Sequence, residues 1–411
     1  MFKFQKNFIK FDRKYVLLLL YFLLGFNLTI PSIFLQFVFI EKRLLGVSEI
    51  SQITAVIALP WGLKVFLGFI SDNISSFVGK NVQIGLSYLF AALFFHILGT
   101  SCGTSDFLYL FLFLINLFVC FADVVQDSIL VYFISFETSQ DHGKLQSQAL
   151  ASRGLGSLIG AFCSALLSRH CFAYPITGLS LVVSAIISIL YLNVELNTNQ
   201  VNILNTCKLV IKNIKDKHKL HLIIAIICFA ITPTDGPIVQ VFFQRKQKLE
   251  PMQFAIAASF AFISITISSL VYNRYLRNIS HVRVITTSSI IMLIFPWLNI
   301  LYGRKVINPD PSTYLNVTSL IGGFLSHIAF MPLAVLAAKH SPAHIEATMY
   351  AFYMALINLC SVIGYSLSAL ILQLLNIQDF ESQNIWWYYI FDITFDMVSI
   401  YFVQKFIYIL D

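Results

Sequence analysis

About a dozen apolar blocks, each long enough to cross a bilayer, run the length of this chain with short polar breaks between them. A spanning helix needs ~20 mainly apolar residues. Inside lipid the backbone must satisfy its own hydrogen bonds, which a helix does segment by segment. The 411 residues are 58% hydrophobic and 11% charged, against roughly 25% charged in soluble domains. The fold class that follows is all-α and polytopic, with about twelve transmembrane helices. No break between blocks exceeds roughly 25 residues, so no soluble domain is left over.

Helices are predicted near 15–40, 48–71, 82–100, 107–135, 145–168 and 172–194, then near 220–244, 252–273, 282–302, 314–338, 343–373 and 386–409. The break at 195–219 is rich in lysine (Lys208, Lys212, Lys215, Lys217, Lys219) and reads as a solvated linker between two groups of six. The expected units are therefore 1–194, a linker at 195–219 and 220–411. With both termini on one side, the segments on that side carry roughly twice as many Lys and Arg as the opposite loops, which places the termini in the cytoplasm. The net charge of +7 is thus topological and calls for no nucleic-acid partner. The short basic start, Lys3 to Lys14, reads as a positive-inside flank rather than a targeting segment. A faint echo links the halves: Asp141-His142-Gly143-Lys144 leads into the fifth helix, and Ser341-Pro342-Ala343-His344 into the eleventh, each followed by small residues suited to close helix packing.

The seven cysteines are scattered and lack CxxC spacing, so no metal site or disulfide framework is expected. Cys102 and Cys171 fall in loops on one side, within reach of a bridge, but nothing in their spacing requires one, and free thiols are the expectation.

Charges are sparse enough that those inside apolar blocks stand out. An ionised side chain at bilayer depth costs at least ~2.5–3.5 kcal/mol and normally faces a bundle interior or a wet cavity. Lys64 interrupts Leu59-Pro60-Trp61-Gly62-Leu63-Lys64-Val65-Phe66-Leu67-Gly68, and the segment ends on Ser71-Asp72. Asp123 and Asp127 lie four apart and share one helix face. Arg153 sits in the next helix, so two cations and two carboxylates form a near-neutral set in the first half. Asp72 reads as a loop brace or gate. Thr232-Pro233-Thr234-Asp235-Gly236-Pro237 cannot continue as regular helix, and broken helices in membranes line cavities. Pro60 and Pro332 predict kinks. Asp392 and Asp396 follow an aromatic belt, Trp386-Trp387-Tyr388-Tyr389. His96 and His327 read as satisfied core histidines.

These residues form a pattern. The run from Leu59-Pro60-Trp61 through Lys64, Gly68 and Ser71-Asp72 resembles the second-helix signature of the folate–biopterin transporter (BT1) family of the major facilitator superfamily. Ala122-Asp123-Val124-Val125-Gln126-Asp127-Ser128 resembles its fourth helix, and Gln146-Ser147 through Arg153-Gly154 and Gly156 its fifth. Pro342 with Ile345-Glu346-Ala347-Thr348-Met349-Tyr350-Ala351 and Asn358 resembles its eleventh. The loop after Asp72 departs from the pattern, ending Gly79-Lys80-Asn81 where an arginine-rich ending is usual. The resemblance implies twelve helices in two six-helix halves, a central cavity and alternating access. It implies substrates such as folates and pterins, with S-adenosylmethionine carried by some members, and roles in binding or conformational change for Lys64, Asp123, Asp127, Arg153 and Glu346.

A folate has a flat pterin and a glutamate tail. Arg153 and Lys64 are expected to take the tail, since a guanidinium grips a carboxylate bidentately. Asp123 or Asp127 would take the pterin's N–H groups, and Trp61, Phe121 or Tyr132 would stack on it. Asp127 is also the candidate to carry a coupling proton, and Asp235 joins the binding or coupling set. The partners expected are thus a small metabolite, H+ and the lipid bilayer, with the chain a monomer in the plasma membrane rather than an organelle envelope. An enzyme is the rival class, but HExxH and a histidine cluster are missing, and no cofactor is called for. A receptor or scaffold would want a large loop or soluble domain for its partner.

Overall fold

The structure is a computed structural model that describes residues 12–75, 77–102, 105–134, 144–167, 171–192, 212, 216–340 and 346–409. In chain order the helices are α1 (Arg13–Phe37), α2 (Val47–Gly62), α3 (Lys64–Ile74), α4 (Lys80–Ser101), α5 (Leu108–Ile134), α6 (Lys144–Leu167) and α7 (Ala173–Tyr191). Then come α8 (Lys217–Ala230), α9 (Gly236–Val241), α10 (Pro251–Val271), α11 (His281–Met292), α12 (Ile294–Gly303), α13 (Pro311–Lys339), α14 (Glu346–Leu374) and α15 (Ile385–Tyr408). Among the described residues, nine helices are long and apolar enough to cross a membrane, or ten with the bent pair α2–α3 as one span. The interrupted stretch from Lys217 to Lys246 and the helix α15 add two further long segments, consistent with the twelve expected.

Three expected helices are broken. The span predicted at 48–71 bends by 42° at Leu63, because Pro60 has no N–H to give and the ladder restarts at Lys64. The span predicted at 220–244 splits into α8 and α9 around Pro233 and Asp235. The span predicted at 282–302 divides at Leu293, three residues before Pro296. Most of the linker predicted at 195–219 lies outside the described residues; where it ends, Asp216 caps α8 by accepting from the backbone N–H groups of His218 and Lys219, which hold its carboxyl below the usual carboxylate range.

The first half is held by glycine contacts. α1 lies against α6 so closely that a Cβ on Gly25 would meet the Arg153 carbonyl oxygen at 2.0 Å, and one on Gly156 the Phe22 carbonyl oxygen at 1.9 Å. α4 and α7 meet in the same way at Gly85 and Gly178. That packing sets the end of α4 beside the start of α7, and there Cys102 and Cys171 are joined by a disulfide, contrary to the expectation of free thiols. Proximity of the two helix ends, which spacing along the chain does not encode, is the reason. The end of the bundle carrying this bridge is called the bridge end below.

The two halves repeat a structural element at the bridge end. α1 continues into a π-turn, Val38–Lys42, and α9 into another, Phe242–Lys246. Each is followed by a left-handed residue (Leu44, φ 54°; Lys248, φ 53°), a leucine and a capping box. In the boxes Gly46 donates to Glu49 at 2.8 Å, and Glu250 donates to Gln253 at 2.7 Å. The two π-turns face each other across the halves. Gln244 donates to Glu41 at 3.0 Å, and Arg245 donates to the Ile40 and Leu45 carbonyls at 2.9 and 3.0 Å. Further seams between the halves run along α2–α14, where Gly62 abuts Leu359, and along α6–α10.

Candidate functional site

The bend at Pro60 sets the first functional side chain. It carries Lys64 off the axis of α2 and onto α5, where its ammonium pairs with Asp123 and lies 3.5 Å from Asp127. The bend is fixed from three sides: Cys120 donates to the Pro60 carbonyl at 3.4 Å, Asn358 donates to the Trp61 carbonyl at 3.4 Å, and Gly62 leaves room for α14. Arg153 enters from α6, whose closeness to α1 depends on Gly25 and Gly156, and reaches Asp123 at 3.3 Å. Tyr21 of α1 donates to Asp127 at 2.7 Å.

Asp123 is therefore bridged between two cations, one on each carboxylate oxygen, and its side chain is 0% exposed. Asp127, one turn on, is 49% exposed and has Tyr21 and Lys64 as neighbours. The Trp61 ring lies 5.1 Å from the Lys64 ammonium and 5.8 Å from the Arg153 guanidinium, and its Nε1 donates to Asn116 at 3.1 Å. The face expected to stack on substrate is thus engaged by the two cations, a contact worth ~0.5–2 kcal/mol each. Phe121 and Tyr132 pack against the main apolar core. The set is formally neutral, so it can sit at bilayer depth.

The structure brings Lys64, Asp123, Asp127 and Arg153 together and leaves the other expected residues apart. Asp235 sits at the α8–α9 break in the second half, where Asn299 donates to it at 2.7 Å and Tyr389 at 3.1 Å. Tyr314 in turn donates to Asn299 at 2.8 Å. Around the break, Tyr388 donates to the Thr234 carbonyl at 2.8 Å, and the Thr234 amide donates to Ser368 at 2.7 Å. Asp72, at the end of α3, is met by Lys80 at 2.7 Å, so a lysine stands where an arginine-rich ending was expected. Glu346 opens α14, but its side chain lies outside the described residues. Among the described residues no three His, Cys, Asp or Glu side chains are gathered closely enough to hold a metal ion.

The BT1 family profile matches residues 24–408, nearly the whole chain. The chain belongs to the BT1 family. One curated BT1-like relative, the "Folate-biopterin transporter" of Synechocystis sp., is 25% identical over 338 residues, covering 80% of this chain and 68% of that protein. "Folate transporter 1" of Plasmodium falciparum is 24% identical over 371 residues, covering 87% and 72%. Among solved structures, the nucleoside transporter NupG superposes with a TM-score of 0.68 at 13% identity, over 98% of this chain and 100% of that one. A structure from the proton dependent oligopeptide transporters gives 0.69 at 12%, over 97% and 99%. At these identities the match is one of fold: this BT1 chain shares the all-helical, polytopic architecture of these transporters.

Two features of the BT1 site had no sequence signal. Tyr21 is one of 18 tyrosines and carries no charge to mark it. The Lys80 partner of Asp72 looked like an ordinary loop cation.

Proposed function

We propose that this chain carries folate- or pterin-type metabolites across a membrane by alternating access, and that the buried cluster of Lys64, Asp123, Asp127 and Arg153 meets the charged part of the substrate. One observation carries it: in a BT1-family chain, two cations and two carboxylates from three helices converge at bilayer depth on a single neutral cluster. Buried ion pairs contribute little net stability, so a network of this kind is better explained by a switching or binding role.

Arg153 is the cation with capacity to spare. Its side chain is 30% exposed and its ion pair is a single 3.3 Å contact, which leaves guanidinium N–H groups for a substrate carboxylate. As that carboxylate binds, Arg153 loosens from Asp123, and Lys64 becomes the main partner of Asp123. Both Asp123 oxygens are already taken, so Asp123 is a poor receptor for a pterin edge and is assigned instead to the switch. Asp127, half-exposed and held by Tyr21, is assigned to proton coupling. Asp235 and Glu346 are assigned to the binding or coupling machinery around the second half, and Asp72 with Lys80 to a gate. The crossed contacts of Gln244 and Arg245 shut the bridge end, and the Asp127 carboxylate away from it stays half-exposed. On this reading the carrier loads from the side of its termini, taken as cytoplasmic from the excess of Lys and Arg there, and works as a monomer in the plasma membrane.

The test is uptake of labelled folate, biopterin and S-adenosylmethionine into proteoliposomes, in parallel, with and without a pH gradient. Saturable uptake of folate or biopterin is expected. Uptake of S-adenosylmethionine alone would replace the proposed substrate class while leaving the carrier mechanism standing; uptake of none would contradict both.

A further inference from the structure

Between the closed bridge end and the charge cluster lies a cavity of about 500 Å³, within the range of small-molecule sites. Both halves contribute to it, α1 and α2 from the first, α9, α10 and α13 from the second. Its walls follow the structural repeat. Superposing the π-turn of α1 on that of α9 makes Gln36 equivalent to Gln240, Ile50 to Phe254 and Thr54 to Ala258, and all six line the cavity. Ile40, whose carbonyl receives Arg245 in the closure, forms part of its roof. The cavity therefore straddles the approximate twofold that relates the halves.

Its chemistry differs from that of the cluster below. No wall residue is charged. The amide nitrogen of Gln36 is buried with no hydrogen-bond partner, and the half-buried side chain of Gln240 makes no hydrogen bond to any described residue. A buried polar group left unpaired costs about 1–3 kcal/mol, so the Gln36 amide nitrogen, with the half-buried Gln240 carboxamide on the same cavity, marks a place where a ligand completes the pairing. A carboxamide offers a donor beside an acceptor. Its complement is a flat heterocycle whose edge presents the same pair. Phe39 and Phe254 give the ring apolar faces. An anionic tail would be buried there without a partner, which is costly. Along α2, Thr54 is nearly three turns from Lys64, roughly 15 Å at 1.5 Å per residue.

We infer that this cavity is the subsite for the uncharged heterocyclic end of the substrate, read on its hydrogen-bonding edge by the symmetry-related pair Gln36 and Gln240. The carboxylate tail then extends along α2 to Arg153 and Lys64, so an elongated substrate is held with its ring toward the bridge end. The inference rests on the folate and pterin assignment above.

Binding to the purified chain in nanodiscs tests it with three ligands: folate, biopterin, which is ring without tail, and p-aminobenzoylglutamate, which is tail without pterin. Gln36→Leu combined with Gln240→Leu is expected to weaken biopterin and folate by at least about tenfold and to leave p-aminobenzoylglutamate within about twofold. Gln240→Met, closest in shape to the native side chain, is measured alone in case the ligand-free double variant melts early, and is expected to discriminate in the same direction. Unchanged biopterin affinity in a folded variant, or equal weakening of all three ligands, would overturn the subsite while leaving the transport assignment intact. A wild-type chain that binds neither folate nor biopterin would overturn that assignment and the subsite with it.

Discussion

The two halves bury carboxylates in opposite ways. In the first half Asp123 is clamped between Lys64 and Arg153, and Asp127 adds a second carboxylate within reach of Lys64. In the second half Asp235 is met by the amide of Asn299 and the hydroxyl of Tyr389, and the nearly buried Asp392 has a carboxylate oxygen with no partner. Among the described residues no cation reaches either. Fold and repeat are shared, so the difference lies in what the halves do with charge. On the proposed function, the first half stores separated charges that exchange partners when an anion arrives. The second holds Asp235 among neutral donors and leaves a carboxylate oxygen of Asp392 with no partner among the described residues.

Breaking the clamp should have the largest effect. Lys64→Met leaves two carboxylates on one face of α5 with only Arg153 to balance them, and loss of one partner of a buried pair costs about 3–5 kcal/mol. Thermal unfolding in detergent should show a lowered midpoint, and folate uptake should fall to background. Near-normal uptake would remove Lys64 from the site. The comparison itself is sharpened by two isosteric changes measured side by side. Asp123→Asn strands Arg153 and leaves Lys64 with Asp127 alone, and should cost about 3–5 kcal/mol, whereas Asp235→Asn keeps an acceptor for its neutral donors and should cost about 1 kcal/mol or less. Equal losses in the two melting curves would mean that the halves do not differ as described.

Asp127→Asn is expected to leave counterflow exchange of labelled folate intact while abolishing accumulation driven by a pH gradient. Full pH-driven accumulation in that variant would take coupling away from Asp127. The smallest effect belongs to Asp72→Asn. Its carboxylate is half-exposed, and the buried Lys80 keeps a hydrogen bond to Ser71 at 2.9 Å, so the loss should be about 1 kcal/mol and the melting midpoint should move little. Any change should appear instead as a few-fold lower maximal uptake rate. An unchanged rate would mean the pair is a brace and not a gate.

Much of the first-half cluster was legible because charge inside an apolar block is conspicuous: Lys64, Asp123, Asp127 and Arg153 announce themselves, and Pro60 announces the bend that aims Lys64. Asp235 was marked by the prolines around it, but its neutral partners were not, since Asn299 and Tyr389 are ordinary residues on distant helices. The Cys102–Cys171 bridge escaped because it depends on glycine-mediated packing of α4 on α7. The repeat at the bridge end escaped for another reason. Both segments carry Gln-x-x-Phe-x-x-Lys-x-x-Leu, Gln36 to Leu45 and Gln240 to Leu249, but such scattered matches between distant segments gain weight only when the shared backbone path is seen. The expected echo between the fifth and eleventh helices concerns leading segments, 141–143 and 341–345, that lie outside the described residues.

The central claim is that Arg153, freed from Asp123, grips the anionic tail of the substrate. The most direct measurement is the ratio of folate to biopterin affinity in the wild type and in Arg153→Gln, by equilibrium binding to the chain in nanodiscs. A bidentate charge-assisted contact predicts that folate weakens by roughly 10- to 100-fold while biopterin, which has no carboxylate, stays within about twofold. An equal loss for both ligands, or none for either, would contradict it.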